Sequence, residues 1–266
     1  MTIDLFPTID GLRRHLDDHR AAGRSVGFVP TMGYLHAGHA SLMEAARANN
    51  DVVVASIFVN PLQFAANEDL STYPRDLAAD SALAERIGVD ALFVPSVDEM
   101  YPGGPVLTSV SVAQLSERLE GITRPTHFAG VATVVTKLFS IVGPCTAYFG
   151  EKDYQQLAII RRMVADLSLP VTVIGCPIIR EPDGLAMSSR NVYLTDEQRP
   201  AAIVLRRALD AGLDAIQAGE RSASAVAEVM RWVVDSEPLA TLDYVGVVQA
   251  QSLETLETLT GEVRLL

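Results

Sequence analysis

Residues 51–60, DVVVASIFVN, limit the possible folds more than any other stretch of the chain. The run is continuously apolar and rich in β-branched side chains. A half-solvated strand would alternate apolar with polar residues; this one needs cover on both faces, as a central strand of a parallel sheet has. Its surroundings agree. Residues 25–30, 91–95, 147–149 and 171–176 read as further strands. Between them, 39–49, 77–87 (closed by Gly88), 131–142 and 155–167 have helical spacing of their apolar positions. Strand and helix in alternation imply an α/β fold, with a Rossmann-like parallel sheet and helices on both faces.

The texture changes after residue 178. A polar loop at 180–191 leads into a long Ala- and Leu-rich helix at 196–219, a second helix at 222–236 and a strand at 242–249. We therefore expect two domains, 1–178 and a smaller α+β domain at 179–266. The length of 266 residues allows for that.

The formal net charge is −12. Nucleic-acid binders concentrate Lys and Arg, so a nucleic-acid partner is not expected; a small anionic substrate needs only a few local cations. Cys145 and Cys176 are too few for a disulfide framework or a four-ligand zinc site, and read as buried structural thiols. Residues 1–10 lack the cationic start of a signal peptide, and no apolar run reaches the ~18 residues of a membrane span. The expectation is a cytoplasmic protein with no membrane partner.

Three segments carry chemistry. The first is 30–39, PTMGYLHAGH, between a strand and a helix. Open α/β sheets bind ligands at that carboxyl edge. Gly33 lets the backbone turn, Gly38 permits close approach, and a helix beginning near His39 aims its positive end at the same space. His36 and His39 can donate hydrogen bonds to phosphate oxygens. The segment is not a Walker loop, since His39-Ala40 stands where Lys-Ser/Thr would be, and no Gly-x-Gly-x-x-Gly occurs. No third ligand suggests zinc. The second segment is Phe149-Gly150-Glu151-Lys152-Asp153, again after a strand, where Lys152 is a point charge for phosphate; a solvated turn explains it equally well. The third is 184–191, GLAMSSRN, readable as a mobile phosphate clamp or as an ordinary capped loop. Gln63, in NPLQF, and Gln156 are uncharged donors and acceptors suited to hydroxyls and a carboxylate. Asp76, Asp80 and Glu85 read as a solvated helix face rather than a metal site.

Taken together, PTMGYLHAGH, SIFVNPLQF, YPRD, RPTHFAGVATVV, FGEKDYQQL and GLAMSSRNVYL resemble the pantothenate synthetase (pantoate–β-alanine ligase) family, over about residues 26–194. The His-x-x-His signature alone belongs to the wider nucleotidyltransferase superfamily. The resemblance implies an ATP-dependent condensation of (R)-pantoate with β-alanine. Its products are pantothenate, AMP and pyrophosphate, formed through a pantoyl-adenylate, in vitamin B5 and coenzyme A biosynthesis. It further implies Mg²⁺, a homodimer, a nucleotide- and pantoate-binding first domain and a C-terminal lid. By matching motif, ATP falls to Met32, Gly33, His36, His39, Gly150, Glu151, Lys152, Asp153, Ile179, Met187, Ser188, Ser189 and Arg190. Of these, His39 (the family's proton donor), His36, Lys152 and Arg190 are the catalytic candidates. Gln63 falls to pantoate and β-alanine, and Gln156 to pantoate; no residue is assigned to the metal. Cys145 replaces a usual Asp after Pro144, and family members usually continue beyond the position of Leu266. Two other readings are a nucleotidyl transfer onto a phosphate ester, which gives the two glutamines no task, and a non-catalytic nucleotide-binding protein, which leaves His36, His39, Lys152 and Arg190 unexplained.

Overall fold

The computed structural model describes residues 3–266. They form two compact units: residues up to Glu117 with Arg124–Ile179, and Arg118–Thr123 with Arg180–Leu266. A single cut at 178/179 therefore misses residues 118–123, which group with the second unit.

The first unit contains β1 (Asp4–Phe6), α1 (Ile9–Ala21), β2 (Val26–Thr31), α2 (Ala37–Asn49), β3 (Val52–Ile57), α3 (Leu77–Ile87), β4 (Ala91–Phe93) and α4 (Val97–Met100). After α5 (Glu120–Thr123), which belongs to the second unit, follow α6 (His127–Val142), β5 (Cys145–Gly150), α7 (Tyr154–Asp166) and β6 (Val171–Cys176). The six strands order as β1-β4-β3-β2-β5-β6, and every pair is parallel. The chain builds outward from β2 through β3 to β4, then returns to the other side of β2 for β5 and β6. The strand order thus reverses between β2 and β5, where open α/β sheets place their ligands.

Residues 51–60 contribute β3, buried along Val52–Ser56; the strand ends at Ile57, and the 3-10 turn capped by Asn60 follows at Pro61. Alternation on β2 supplies both faces. Val29 packs with Leu42, Met43 and Ala46 of α2, whereas Phe28 meets Phe139 of α6 edge-on at 6.4 Å. Both cysteines are free thiols; Cys176 is buried, Cys145 partly so, and burial pushes the Cys145 thiol up to about 12.

The sequence reading omitted β1 and α1. The buried stripe of α1 is only Leu12 and Leu16, set among charged residues, so its period is faint. Helix α6 starts four residues before the expected 131, at His127.

The second unit holds α8 (Gln198–Ala201), α9 (Val204–Gln217), α10 (Ala223–Asp235) and an antiparallel pair, β7 (Val247–Gln249) and β8 (Val263–Leu265). The expected long helix at 196–219 is thus two helices, the first containing Pro200, which has no amide to donate. The expected strand 242–249 shrinks to three residues, and its partner β8 lies in a stretch that had no assignment. Ala208, Val226, Met230, Val234 and Val247 form this unit's core. Among the described residues, no helix is long and apolar enough to cross a membrane.

Candidate active site

The loop leaving β2 is held by side chains from distant parts of the chain. Thr31 Oγ1 donates to the Ser56 carbonyl at 2.7 Å and accepts the Gly33 amide at 3.1 Å. Gly33 sits at φ +86°, where a Cβ would meet Ile57 at 2.9 Å, so glycine is required. Tyr34 is also left-handed, at φ 51°. The next two amides converge on one carboxylate: Tyr34 N–H on Asp80 Oδ2 at 2.9 Å and Leu35 N–H on Asp80 Oδ1 at 2.7 Å. Asp80 is 3 % exposed, so it does not belong to a solvated face. Burial pushes its carboxyl up and the two amides pull it back. The sequence carried one signal for this: Asp80 and Ala84, four apart, are the buried positions of α3, while Asp76 and Glu85 are exposed.

Helix α2 begins at Ala37 rather than near His39, with His36 as its N-cap. The Gly38 amide donates to His36 Nδ1 at 3.1 Å, and the His36 amide donates to His39 Nδ1 at 3.3 Å. This is a capping box made of imidazoles. The helix end therefore presents two histidine rings, with one of its amides already bonded, instead of the open cluster of N–H groups expected. Backbone amides only donate, so both Nδ1 atoms accept and each neutral ring carries its proton on Nε2. The rings lie 4.1 Å apart, inclined by 39°. Burial, and then His36, lower the His39 pKa to about 3; Asp153 opposes this and Lys152 adds to it. His39 is a neutral donor at pH 7.

Lys152 lies in the 3-10 turn Glu151–Asp153 that follows β5, and pairs with Asp153 at 3.1 Å in an exposed position. Strands β2 and β5 are neighbours, so the histidine loop and this turn leave the sheet at the same edge. Gln63 ends the 3-10 turn Pro61–Gln63, which Asn60 caps. A Cβ on Gly130 of α6 would overlap the Leu62 carbonyl, so this glycine lets the helix touch the turn. Gln63 Nε2 lies 3.3 Å from Met32 Sδ. The structure thus brings Met32, His36, His39 and Gln63 onto one set of loops, with Lys152 and Asp153 close enough to act on His39. Gln156 is half-buried in the first turn of α7, and Ile179 follows β6. The sequence reading gave no role to Arg124 and His127, which flank Gln63: Arg124 grips Glu68 through two bonds of 2.7 and 2.6 Å, and His127 Nδ1 lies 2.9 Å from the Gln63 carbonyl.

In the second unit, Met187, Ser188, Ser189 and Arg190 follow a short hairpin closed by the Arg180–Ala186 bridge. Ser188 caps the 3-10 helix Ser189–Tyr193 by accepting the Arg190 amide at 3.2 Å. Arg190 is exposed and Ser189 buried.

A cavity of about 350 Å³ opens beside α3, lined by Met32, Gly33, Ile57, Phe58 and Asp80 among others. The histidines, Gln63 and Lys152 do not line it, so the loop geometry and not this cavity defines the candidate site. Among the described residues, no group of three or more His, Cys, Asp or Glu side chains could hold a metal ion.

The family model for pantoate-beta-alanine ligase matches residues 4–266. A pantothenate synthetase from Heliobacterium modesticaldum is 58% identical over 240 residues, covering 90% of this chain and 85% of that protein. One from Moorella thermoacetica is 53% identical over 263 residues, covering 99% and 93%. The crystal structure of pantothenate synthetase from Thermus thermophilus superposes with TM-score 0.93 at 48% identity, covering 98% of this chain and 92% of that one. A pantoate-beta-alanine ligase from Francisella tularensis, complexed with beta-gamma ATP and beta-alanine, superposes with TM-score 0.75 at 34% identity, covering 93% and 90%.

Proposed function

The chain belongs to the pantoate–beta-alanine ligase family, and on that premise we propose how its residues divide the work. It condenses pantoate with β-alanine, using ATP. A carboxylate is a poor acylating agent, so it is first activated: a pantoate oxygen bonds to the α-phosphorus and pyrophosphate leaves. The β-alanine amine then attacks the carbonyl of the pantoyl-adenylate, AMP departs and the amine loses a proton. The first step is largely a matter of positioning and charge neutralisation.

The observation that carries the assignment of roles is the clamped histidine loop at the strand-order reversal, beside the Lys152 turn. We assign ATP phosphates to His36 and His39, each donating from Nε2. With a pKa near 3, His39 acts as a neutral hydrogen-bond donor and not as an imidazolium acid. Lys152 meets the charge that develops as pyrophosphate leaves. Met32, Gly33, Gly150, Glu151, Asp153 and Ile179 complete the nucleotide contacts in the first unit; Met187, Ser188, Ser189 and Arg190 supply those of the second, which serves as the lid. Gln63 contacts pantoate and β-alanine, and Gln156 contacts pantoate. Mg²⁺ would enter with ATP and neutralise phosphate charge, and no residue of this chain is assigned to hold it. A cytoplasmic homodimer completes the reading.

Pyrophosphate exchange tests the order of steps. Exchange of label between pyrophosphate and ATP should require pantoate and not β-alanine. Exchange that appears only with β-alanine present would overturn it.

A further inference from the structure

We propose that a one-way chain of hydrogen bonds, from Tyr101 through Asn60 to Gln63, fixes the Gln63 amide so that its Nε2 donor is the end offered to substrate. The proposal rests on the assignment of Gln63 to substrate. Tyr101 and Asn60 are positioning residues in it.

The sense of the chain follows from two backbone groups. The Leu62 amide, which can only donate, faces one end of the Asn60 side chain at 3.3 Å, so that end is Oδ1. The Gly130 carbonyl, which can only accept, faces the other end at 3.2 Å, so that end is Nδ2. Asn60 is 1% exposed, and flipping it would oppose like with like at both ends. Everything else follows. The Tyr101 hydroxyl, 2.8 Å from Oδ1, has to donate. Burial raises its pKa above the ordinary phenol value, so it keeps that proton. Phe58 packs edge-on against the Tyr101 ring at 5.9 Å and Lys137 Nζ lies 5.7 Å from its centroid, which hold the phenol in place. Asn60 Nδ2 then donates to the atom of Gln63 at 3.1 Å, which has to be Oε1. With Oε1 engaged, the Nε2 amide points toward Met32 Sδ. One of its protons meets the sulfur; the other is available to a ligand.

The chemical consequence is selective. Gln63 recognises carboxylate or hydroxyl oxygens, which pantoate and the acid end of β-alanine carry. The chain is not written in helical or strand period: Tyr101 is 41 positions from Asn60.

Steady-state kinetics on Gln63→Ala, Asn60→Asp, Tyr101→Phe and the double variant Asn60→Asp/Gln63→Ala test this, alongside melting curves. Asn60→Asp keeps the Leu62 and Tyr101 bonds but has no donor for Oε1, so Gln63 reverses and turns its acceptor outward. The pantoate KM should rise about ten- to a hundredfold while the ATP KM stays near the wild-type value. Tyr101→Phe should raise the pantoate KM by roughly three- to tenfold, the effect of one lost hydrogen bond at a distance. The double variant should be no worse than Gln63→Ala, because Asn60 acts through Gln63. Lower melting temperatures with an unchanged ratio of the two KM values in both Asn60→Asp and Tyr101→Phe would reduce the chain to a structural one and overturn the proposal. An unchanged pantoate KM in Gln63→Ala would instead overturn the assignment of Gln63 itself.

Discussion

Asp80 and Asp183 do the same local job in two different ways. Each accepts amide hydrogen bonds from a loop that the family resemblance connects with ATP. Asp80 accepts the Tyr34 and Leu35 amides from 46 and 45 residues away, in a buried position. Asp183 accepts the Leu185 amide from two residues away, exposed, with Arg199 on its other oxygen at 2.7 Å. Their carboxyls move in opposite directions. Burial pushes Asp80 up, whereas the Arg199 hydrogen bond holds Asp183 below its ordinary value. The Asp183 interaction favours the folded state above the ordinary carboxylate pKa and fades as pH falls. The Asp80 charge opposes folding at neutral pH, because the folded state takes its proton first as pH drops. Burying that carboxylate is therefore not a gain in charge energy. What it achieves is geometry: two adjacent amides fixed on one rigid group, so that the turn before His36 is set before any ligand arrives.

The comparison breaks most readily at Asp80. Asp80→Ala leaves two amides without their acceptor, at about 1–3 kcal/mol each, so unfolding free energy should fall by about 2–6 kcal/mol in urea titrations. Pantoate-dependent pyrophosphate exchange should fall with it. A variant as stable and active as the wild type would show that the loop holds its own shape. Lys152→Ala comes next and asks whether a charge, rather than a clamp, drives activation at this edge. Single-turnover adenylate formation should slow by about 10²–10³-fold, the ~2.7–4 kcal/mol of one removed transition-state donor. Calorimetric ATP affinity should change less. Near-normal adenylation would leave Lys152 as a solvated turn residue.

A pH titration sharpens the contrast from the histidine side. His39 has a folded pKa near 3 against 6.5 for an ordinary imidazole. Below pH ~6.5 the unfolded chain binds a proton that the folded chain refuses, so this contribution is complete above that pH and is lost as pH falls toward 3. The slope approaches about 1.4 kcal/mol per pH unit for one proton. His39→Gln should flatten the fall in stability between pH ~6 and ~4; equal slopes in both proteins would place the proton uptake elsewhere. Asp183→Ala should have the smallest effect, with no measurable change in melting temperature, since the pair it breaks is exposed. A loss as large as that of Asp80→Ala would erase the distinction between the two loops.

The chain order of strands and helices, and hence a parallel sheet with PTMGYLHAGH and FGEKD at its carboxyl edge, was legible because two-sided burial of 52–57 and the spacing of 77–87 and 171–176 are written in local pattern. The family was legible for a similar reason: its motifs are contiguous. Four things were not. Helix α1 buries only two leucines, too few to register as a period. The helix at 196–219 read as continuous because the apolar residues Ala202 and Ile203 stand where the structure divides it. Asp80 looked like one more acid on an acidic helix, and Tyr101 carried no mark at all. What the sequence determined by itself were the features whose cause lies within one element: burial on one or two faces, and a turn that needs Gly33. What only the tertiary structure decided were the pairings across 40 or more residues, Asp80 with the Tyr34 and Leu35 amides and Tyr101 with Asn60. A hydrogen bond is set by where two groups meet in space, and periodicity along a chain holds no record of that meeting.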